Sequence, residues 1–184
     1  DKICDIIDSI LTKSENDVHK INEYIFNRGT LKFNCTVFAK LYKDLLKKYK
    51  ILDGLITKEL GTYLENFKHI KSCSPEESYS EFCKLNKLND ERRGLSMFLV
   101  ELANNDSLEF SYIVSLINDL HLSLDIELIN ENSQYTCQEI CNNMKIMYEC
   151  NKVKDIECNL LTEFKNKINN LMKSDPNEKK SFNN

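Results

Sequence analysis

The sequence predicts an all-α protein, a solenoid of about four to five antiparallel helical pairs. Apolar residues recur at helical spacing along nearly the whole chain, and no two-residue alternation bounded by hairpin turns marks a strand. Successive helical pairs follow one another at a period of about 40 to 47 residues, which is typical of HEAT-like repeats. Pairs with this period stack, each burying its apolar face on the next.

The N-terminal half contains four predicted helices. Their apolar stripes span residues 3–11, 18–26, 33–49 and 52–67. Gly29 interrupts the helical pattern between the second and third of them. Beyond the fourth, one of the two prolines and a cluster of Ser and Glu predict an exposed loop, with helix resuming by about Phe82.

The C-terminal half repeats this arrangement. Its apolar stripes span residues 95–102, 108–120, 135–148 and 156–171. Asp90 and Glu91 suit the approach to a helix start, so Gly94 is expected at the head of the first of these helices. Asp106 or Ser107 is expected to cap the second. We expect one domain over residues 1–184.

Charge and hydropathy narrow the function classes. The 184 residues include 25 Lys and Arg against 29 Asp and Glu, and the net charge is −4. Bulk charge therefore does not hold the chain on nucleic acid, and any RNA contact must be local. No apolar run approaches the roughly 18 to 20 residues of a membrane span, and no signal-peptide pattern opens the chain. We expect a soluble protein with no membrane partner.

The eight cysteines could be reduced thiols in the core or the disulfide bonds of a secreted protein. Most lie at apolar-face positions of helical patterns, which favours buried, reduced thiols over a secreted disulfide framework. Cys137 and Cys141 share a helix face, but with Cys150 and Cys158 they match no common zinc spacing, so we expect no metal.

No catalytic constellation is evident in the sequence. Phosphate-binding glycine loops, nucleophile elbows and metalloprotease signatures are absent. His19, His69 and His121 stand in separate polar or loop contexts. We therefore expect no enzyme activity and no cofactor, and a helical solenoid without such groups is most often a binding surface.

Several short motifs resemble those of a known family. "RRGLSMFLVEL" places Gly94, Phe98, Glu101 and Leu102 after a basic pair, and "FNCTVFAKLYKDLL", "ITKELGTYLENF" and "TCQEICNNMKIMYE" occur in a matching order. This chain resembles the middle domain, MIF4G, of eukaryotic translation initiation factor 4G over about nine tenths of its length. In that family the glycine motif opens the first helix of the third pair, and most of the last pair would lie beyond Asn184.

The resemblance implies a cytoplasmic, non-catalytic scaffold that binds and stimulates the DEAD-box RNA helicase initiation factor 4A and promotes mRNA recruitment to the ribosome. Cap-binding protein and ribosome-bound initiation factors would be reached through regions outside this chain. The implied helicase contacts are Phe98, Arg92, Arg93, Glu101, Asn27, Arg28, Leu31 and Phe33. The implied RNA contacts are Lys40, Lys43, Lys47, Lys48 and Lys50.

Several of the implied residues also have a purely structural interpretation. Phe98 can be a core aromatic side chain. Arg92 and Arg93 can be solvent-exposed charges at the start of a helix. Phe33 can pack beneath the turn. The lysines can be a solvated helix face. Two other functions remain open: a MIF4G-type scaffold in nonsense-mediated decay, splicing, cap-binding or poly(A)-binding-protein complexes, and a disulfide-bonded secreted helical module.

Overall fold

The computed structural model describes residues 15–130 and 133–150, which all belong to one compact unit. Within them lie six α-helices: α1 Glu15–Gly29, α2 Cys35–Lys48, α3 Ile51–Glu65, α4 Tyr79–Asn104, α5 Phe110–Glu127 and α6 Gln134–Cys150. These two segments contain no strand, so the all-α prediction is confirmed for them. The predicted helices at 3–11 and 156–171 lie outside the described residues.

Helix packing follows a regular pattern. Each of α1 to α4 packs on the helix two positions further along, so that α1, α3 and α5 are linked, as are α2, α4 and α6. Helix α4 also contacts α1 and α5, which makes it the central element of this unit. Among the described helices, none is both long and apolar enough to cross a membrane.

The core forms where the apolar stripes of these helices meet. Phe98, Leu99 and Leu102 of α4 are fully buried, and Tyr42 of α2 and Tyr63 of α3 are the largest side chains with no exposed surface. Removing such side chains from water stabilises the fold by roughly 1.5–3 kcal/mol each. The segment between α3 and α4 is non-helical, as predicted.

The prediction that helix resumes by about Phe82 is confirmed, but the expected position of Gly94 at the head of a helix is wrong. Helix α4 begins at Tyr79, where the Ser78 hydroxyl caps it by accepting from the Glu81 backbone N–H at 3.4 Å. It continues through Asp90 to Asn104, so Gly94 lies in the helix interior and not at its head. Asn89 and Arg92 lie on the inner face of its first half, which is why the apolar stripe begins only at residue 95.

The predicted cap of the next helix is also wrong. Helix α5 begins at Phe110, and Glu109 occupies the N-cap position. Asp106 has a left-handed backbone conformation, with φ of 56°, in the turn that ends α4. Ser107 is buried and its hydroxyl has no hydrogen-bond partner among the described residues.

Six of the eight cysteines lie in the described segments, and all six are free thiols. Only Cys35 is buried; Cys83 is exposed and the other four are half-buried. The expectation of mostly buried thiols is therefore wrong for these six, because five of them are partly or fully exposed. No group of three potential metal ligands occurs in the described part. Cys4 and Cys158 lie outside it.

Candidate binding surface

The turn between α1 and α2 is closed by local hydrogen bonds. The Thr30 N–H donates to the Phe26 carbonyl at 3.1 Å, and the Thr30 hydroxyl donates to the Asn27 carbonyl at 3.0 Å. The buried Cys35 thiol donates to the Gly29 carbonyl at 2.9 Å. Burial raises the pKa of this thiol to about 11, so the thiol stays protonated and can donate this hydrogen bond. These bonds fix the turn as one conformation.

The same turn rests on α4 at two glycines. At Gly29, a β-carbon would lie 2.5 Å from Cε2 of Phe98, so the ring occupies the space that a side chain would take. At Gly94, a β-carbon would lie 3.0 Å from the Thr30 carbonyl carbon and would overlap its oxygen. Phe98 also meets Phe26 edge-to-face, with ring centroids 5.3 Å apart. Both glycines are required because backbone and ring approach so closely.

On the side facing away from α4, the turn exposes apolar side chains to solvent. We call the exposed residues Tyr24, Arg28, Leu31, Phe33 and Val37 the corner surface. Phe33 is 96% exposed, Val37 65% and Leu31 49%. The Arg28 guanidinium lies 5.5 Å from the centroid of the Tyr24 ring, an attractive cation–π distance. The result is a protruding aromatic and aliphatic patch with a positive charge at its edge.

Four of the residues implied as helicase contacts lie at this corner. Asn27, Arg28, Leu31 and Phe33 are all exposed. The alternative in which Phe33 packs beneath the turn is wrong, because its side chain has almost no intramolecular cover. Clustered, exposed large apolar residues commonly mark interaction sites.

The other four implied helicase contacts are buried or half-buried. Phe98 is fully buried, which corresponds to its core reading. Arg92 and Glu101 are also buried, at 8% and 7% exposure. Arg93 is half-buried and is paired within the chain. The reading of the two arginines as solvent-exposed charge at a helix start is therefore wrong, because both lie within α4, Arg92 is buried and Arg93 is paired with Glu139 of α6.

A polar cluster holds Arg92 beneath the surface. Its Nε donates to the Asn66 carbonyl at 3.2 Å and its Nη1 to Asn89 Oδ1 at 2.7 Å. Its guanidinium stands 5.4 Å from the Phe67 ring centroid. Burial lowers the pKa of Arg92, and the charge of Glu139 opposes that shift.

The cluster extends across α3, α4 and α6. Arg93 pairs with the buried carboxylate of Glu139. Ser96 Oγ lies 2.8 Å from the Tyr63 hydroxyl and 2.6 Å from Asn143 Oδ1. Sequence reasoning named Arg92 and Arg93 but missed their partners, although a signal was present, since residues 89, 92 and 96, like 139 and 143, recur at helical spacing. Such a buried, bonded network fixes helix register.

The lysines implied as RNA contacts lie on or just after α2. Lys40, Lys47, Lys48 and Lys50 are exposed. Lys43 is half-buried and its Nζ lies 2.9 Å from Asp106 Oδ2, while Lys47 Nζ lies 2.8 Å from Asp44 Oδ1. Lys43 and Lys47 are thus each paired with a carboxylate of the described residues.

A shallow groove of about 290 Å³ lies between α3 and α5. Its walls are mainly apolar and include Leu64, Phe67, Leu122 and Ile126. Its polar lining includes Ser123, whose hydroxyl donates to the Asp119 backbone carbonyl at 2.9 Å.

No family model, curated protein or solved structure matches this chain. The corner surface is therefore interpreted from its own chemistry. Aromatic and arginine side chains on a rigid support are the residues that most often dominate protein–protein binding energy. A preformed patch also binds without the entropy cost of ordering a loop. Of the features described, the corner surface is the best candidate for a binding site.

Proposed function

We propose that the chain is a non-catalytic translation initiation scaffold, which binds the DEAD-box RNA helicase initiation factor 4A through the corner surface. The observation that carries this proposal is Phe33, an aromatic side chain 96% exposed on a turn closed by hydrogen bonds. The sequence resemblance implies helicase contact for the same stretch. An exposed phenylalanine on a fixed turn is suited to fill a pocket on a partner.

Phe98 takes a positioning role in this proposal. Its ring lies directly beneath Gly29, and the corner surface stands on the opposite side of that turn. Loss of the ring would leave a cavity under the turn and weaken binding without removing any direct contact. This role accounts for a phenylalanine at this position in a binding motif while its side chain remains buried.

We also propose that the helices stack as HEAT-like pairs. The links among α1, α3 and α5 and among α2, α4 and α6 support this, because stacked pairs bring equivalent helices into contact. Such a scaffold stimulates a two-lobed helicase by binding its nearly closed arrangement more tightly than its open one. RNA would contact the exposed lysines of α2 locally.

Calorimetry with purified helicase 4A tests the proposal. We expect the wild-type chain to bind, and Phe33→Ala to weaken binding by at least about tenfold, the loss of roughly 1.4 kcal/mol or more at a central aromatic contact. Tyr79→Ala is the matched control, since Tyr79 is an exposed aromatic at the start of α4. No binding by the wild-type chain, or equal loss in both variants, would contradict the proposal.

A further inference from the structure

The corner surface lies in a stretch of one charge sign. Residues 24–43 contain Arg28, Lys32, Lys40 and Lys43 and no acidic residue, in a chain whose net charge is −4. The nearest acids along the chain are Glu23 before it and Asp44 after it, and Asp44 is paired with Lys47. Along the chain, the turn and the first half of α2 therefore carry only positive side chains, although Glu101 of α4 acts on Cys35 from below.

Three of these cations are available to a partner. Lys43 is paired with Asp106. Arg28, Lys32 and Lys40 are exposed, and no ion pair joins them to any other residue in the described segments. Arg28 is also oriented by the Tyr24 ring beneath it, so its charge has a defined position beside the apolar patch.

Apolar side chains occupy the space between these charges. Leu31 and Phe33 alternate along the turn with Lys32, and Val37 lies one helical turn before Lys40 on α2. Branched aliphatic side chains pack into protein pockets but give nucleic-acid bases no flat face for stacking. Tyr24 and Phe33 do offer such a face, but the two aliphatic residues and the net charge of −4 favour a protein partner over RNA.

We infer that the partner surface which covers the corner is acidic around an apolar pocket, with Phe33 in the pocket and carboxylates facing Arg28, Lys32 and Lys40. This inference rests on the proposed function and adds the chemistry of the helicase face that is recognised. The two sets of residues act on different steps. The exposed charges accelerate encounter, whereas the apolar anchors slow dissociation.

The experiment measures association and dissociation rates of the full chain with helicase 4A, at salt concentrations from about 50 to about 300 mM. One variant combines Arg28→Glu, Lys32→Glu and Lys40→Glu. The control combines Lys58→Glu, Lys84→Glu and Lys87→Glu, which change the net charge equally at exposed positions on α3 and α4. Phe33→Ala is measured beside them, and a fluorescent oligouridylate serves as the RNA probe.

We expect the corner triple variant to associate at least about tenfold more slowly at low salt, with a flatter salt dependence, and the control to change far less. Phe33→Ala should raise the dissociation rate and keep the salt dependence of the wild type. If the wild type binds helicase but the two triple variants behave alike, the inference is overturned and the helicase proposal stands. Loss of oligouridylate binding with unchanged helicase binding overturns it in favour of RNA. If the wild type does not bind helicase at low salt, both fail.

Discussion

Gly94 of α4 lies against the backbone of Thr30, so closely that a β-carbon at position 94 would overlap the Thr30 carbonyl oxygen. A reciprocal contact occurs one helical turn further along α4, where the Phe98 ring fills the space beside Gly29. These two contacts hold the α1–α2 turn on the central helix, and the corner surface is the outer side of that turn.

Replacing Gly94 by alanine is expected to destabilise the fold. Helix propensity favours alanine by about 1 kcal/mol, but the overlap with Thr30 requires a backbone shift that costs more. Overpacking of this kind costs roughly 1–3 kcal/mol, which denaturant unfolding can measure. Gly61→Ala is the control, because Gly61 lies in α3 with nothing within 4 Å of its added carbon, and it should stabilise by about 0.5–1 kcal/mol. Equal gains from both substitutions would show that the close approach is absent.

Removal of one buried hydroxyl should loosen the contact among the first three helices. The Tyr42 hydroxyl lies 2.7 Å from Asn22 Oδ1 and 3.0 Å from the Leu52 carbonyl oxygen. Tyr42→Phe removes the single hydroxyl proton that these two buried acceptors share, and we expect a loss of about 1–2 kcal/mol in the free energy of unfolding. Tyr112→Phe, at an exposed tyrosine of α5, should change it little. Unaltered stability in Tyr42→Phe would argue against this three-helix bond.

The half-buried Glu59 is expected to make stability depend on pH. Burial raises the pKa of its carboxyl above the ordinary value of 4.5. In the unfolded chain the group ionises at that ordinary value, so the unfolded state loses its proton first and stability falls as pH rises from 4.5 through the folded-state pKa.

Glu59→Gln removes this ionisation and keeps an oxygen that can accept from Asn22 Nδ2, a bond of 3.3 Å in the wild type. The melting temperature of this variant should therefore increase relative to that of the wild type as pH rises from about 4.5 to about 7. Glu76→Gln, in the exposed loop before α4, is the control and should show no such gain. A wild-type advantage that grows with pH would contradict the raised pKa.

Thiol labelling should separate Cys35 from Cys83. Cys35 is buried with a pKa of about 11, whereas Cys83 is exposed on α4. Since the thiolate is the reactive form, Cys83 should react readily with a disulfide reagent near pH 8, and Cys35 only on unfolding. Peptide mass spectrometry after timed labelling assigns each site. Comparable rates at the two cysteines would mean that the α1–α2 turn opens freely.

Much of the helical architecture could be predicted because apolar stripes mark helices that bury apolar faces. The stripes at 18–26, 33–49, 52–67, 108–120 and 135–148 each fall on an observed helix. The first half of α4 was predicted only as helix resuming by about Phe82. Its apolar stripe begins at residue 95, because Asn89 and Arg92 face inward before it and are satisfied by hydrogen bonds. Gly94 then resembled a helix start, although it marks a close approach within the helix.

The site was predictable in part. The corner residues Arg28, Leu31 and Phe33 were identified from the motif order, and they are exposed. Phe98 could not be assigned from sequence, because an aromatic at one position of a helix can face the core or a partner equally well. The packing of its ring against Gly29 shows that it faces the core.

Hydrogen–deuterium exchange of the chain, with and without helicase 4A, tests the role of the corner surface most directly. We expect slower exchange on helicase addition in peptides covering residues 24–43, and unchanged exchange in the first half of α4, residues 79–91. Protection confined to residues 79–91, or no protection anywhere at saturating helicase, would contradict the claim that the corner surface is the binding site.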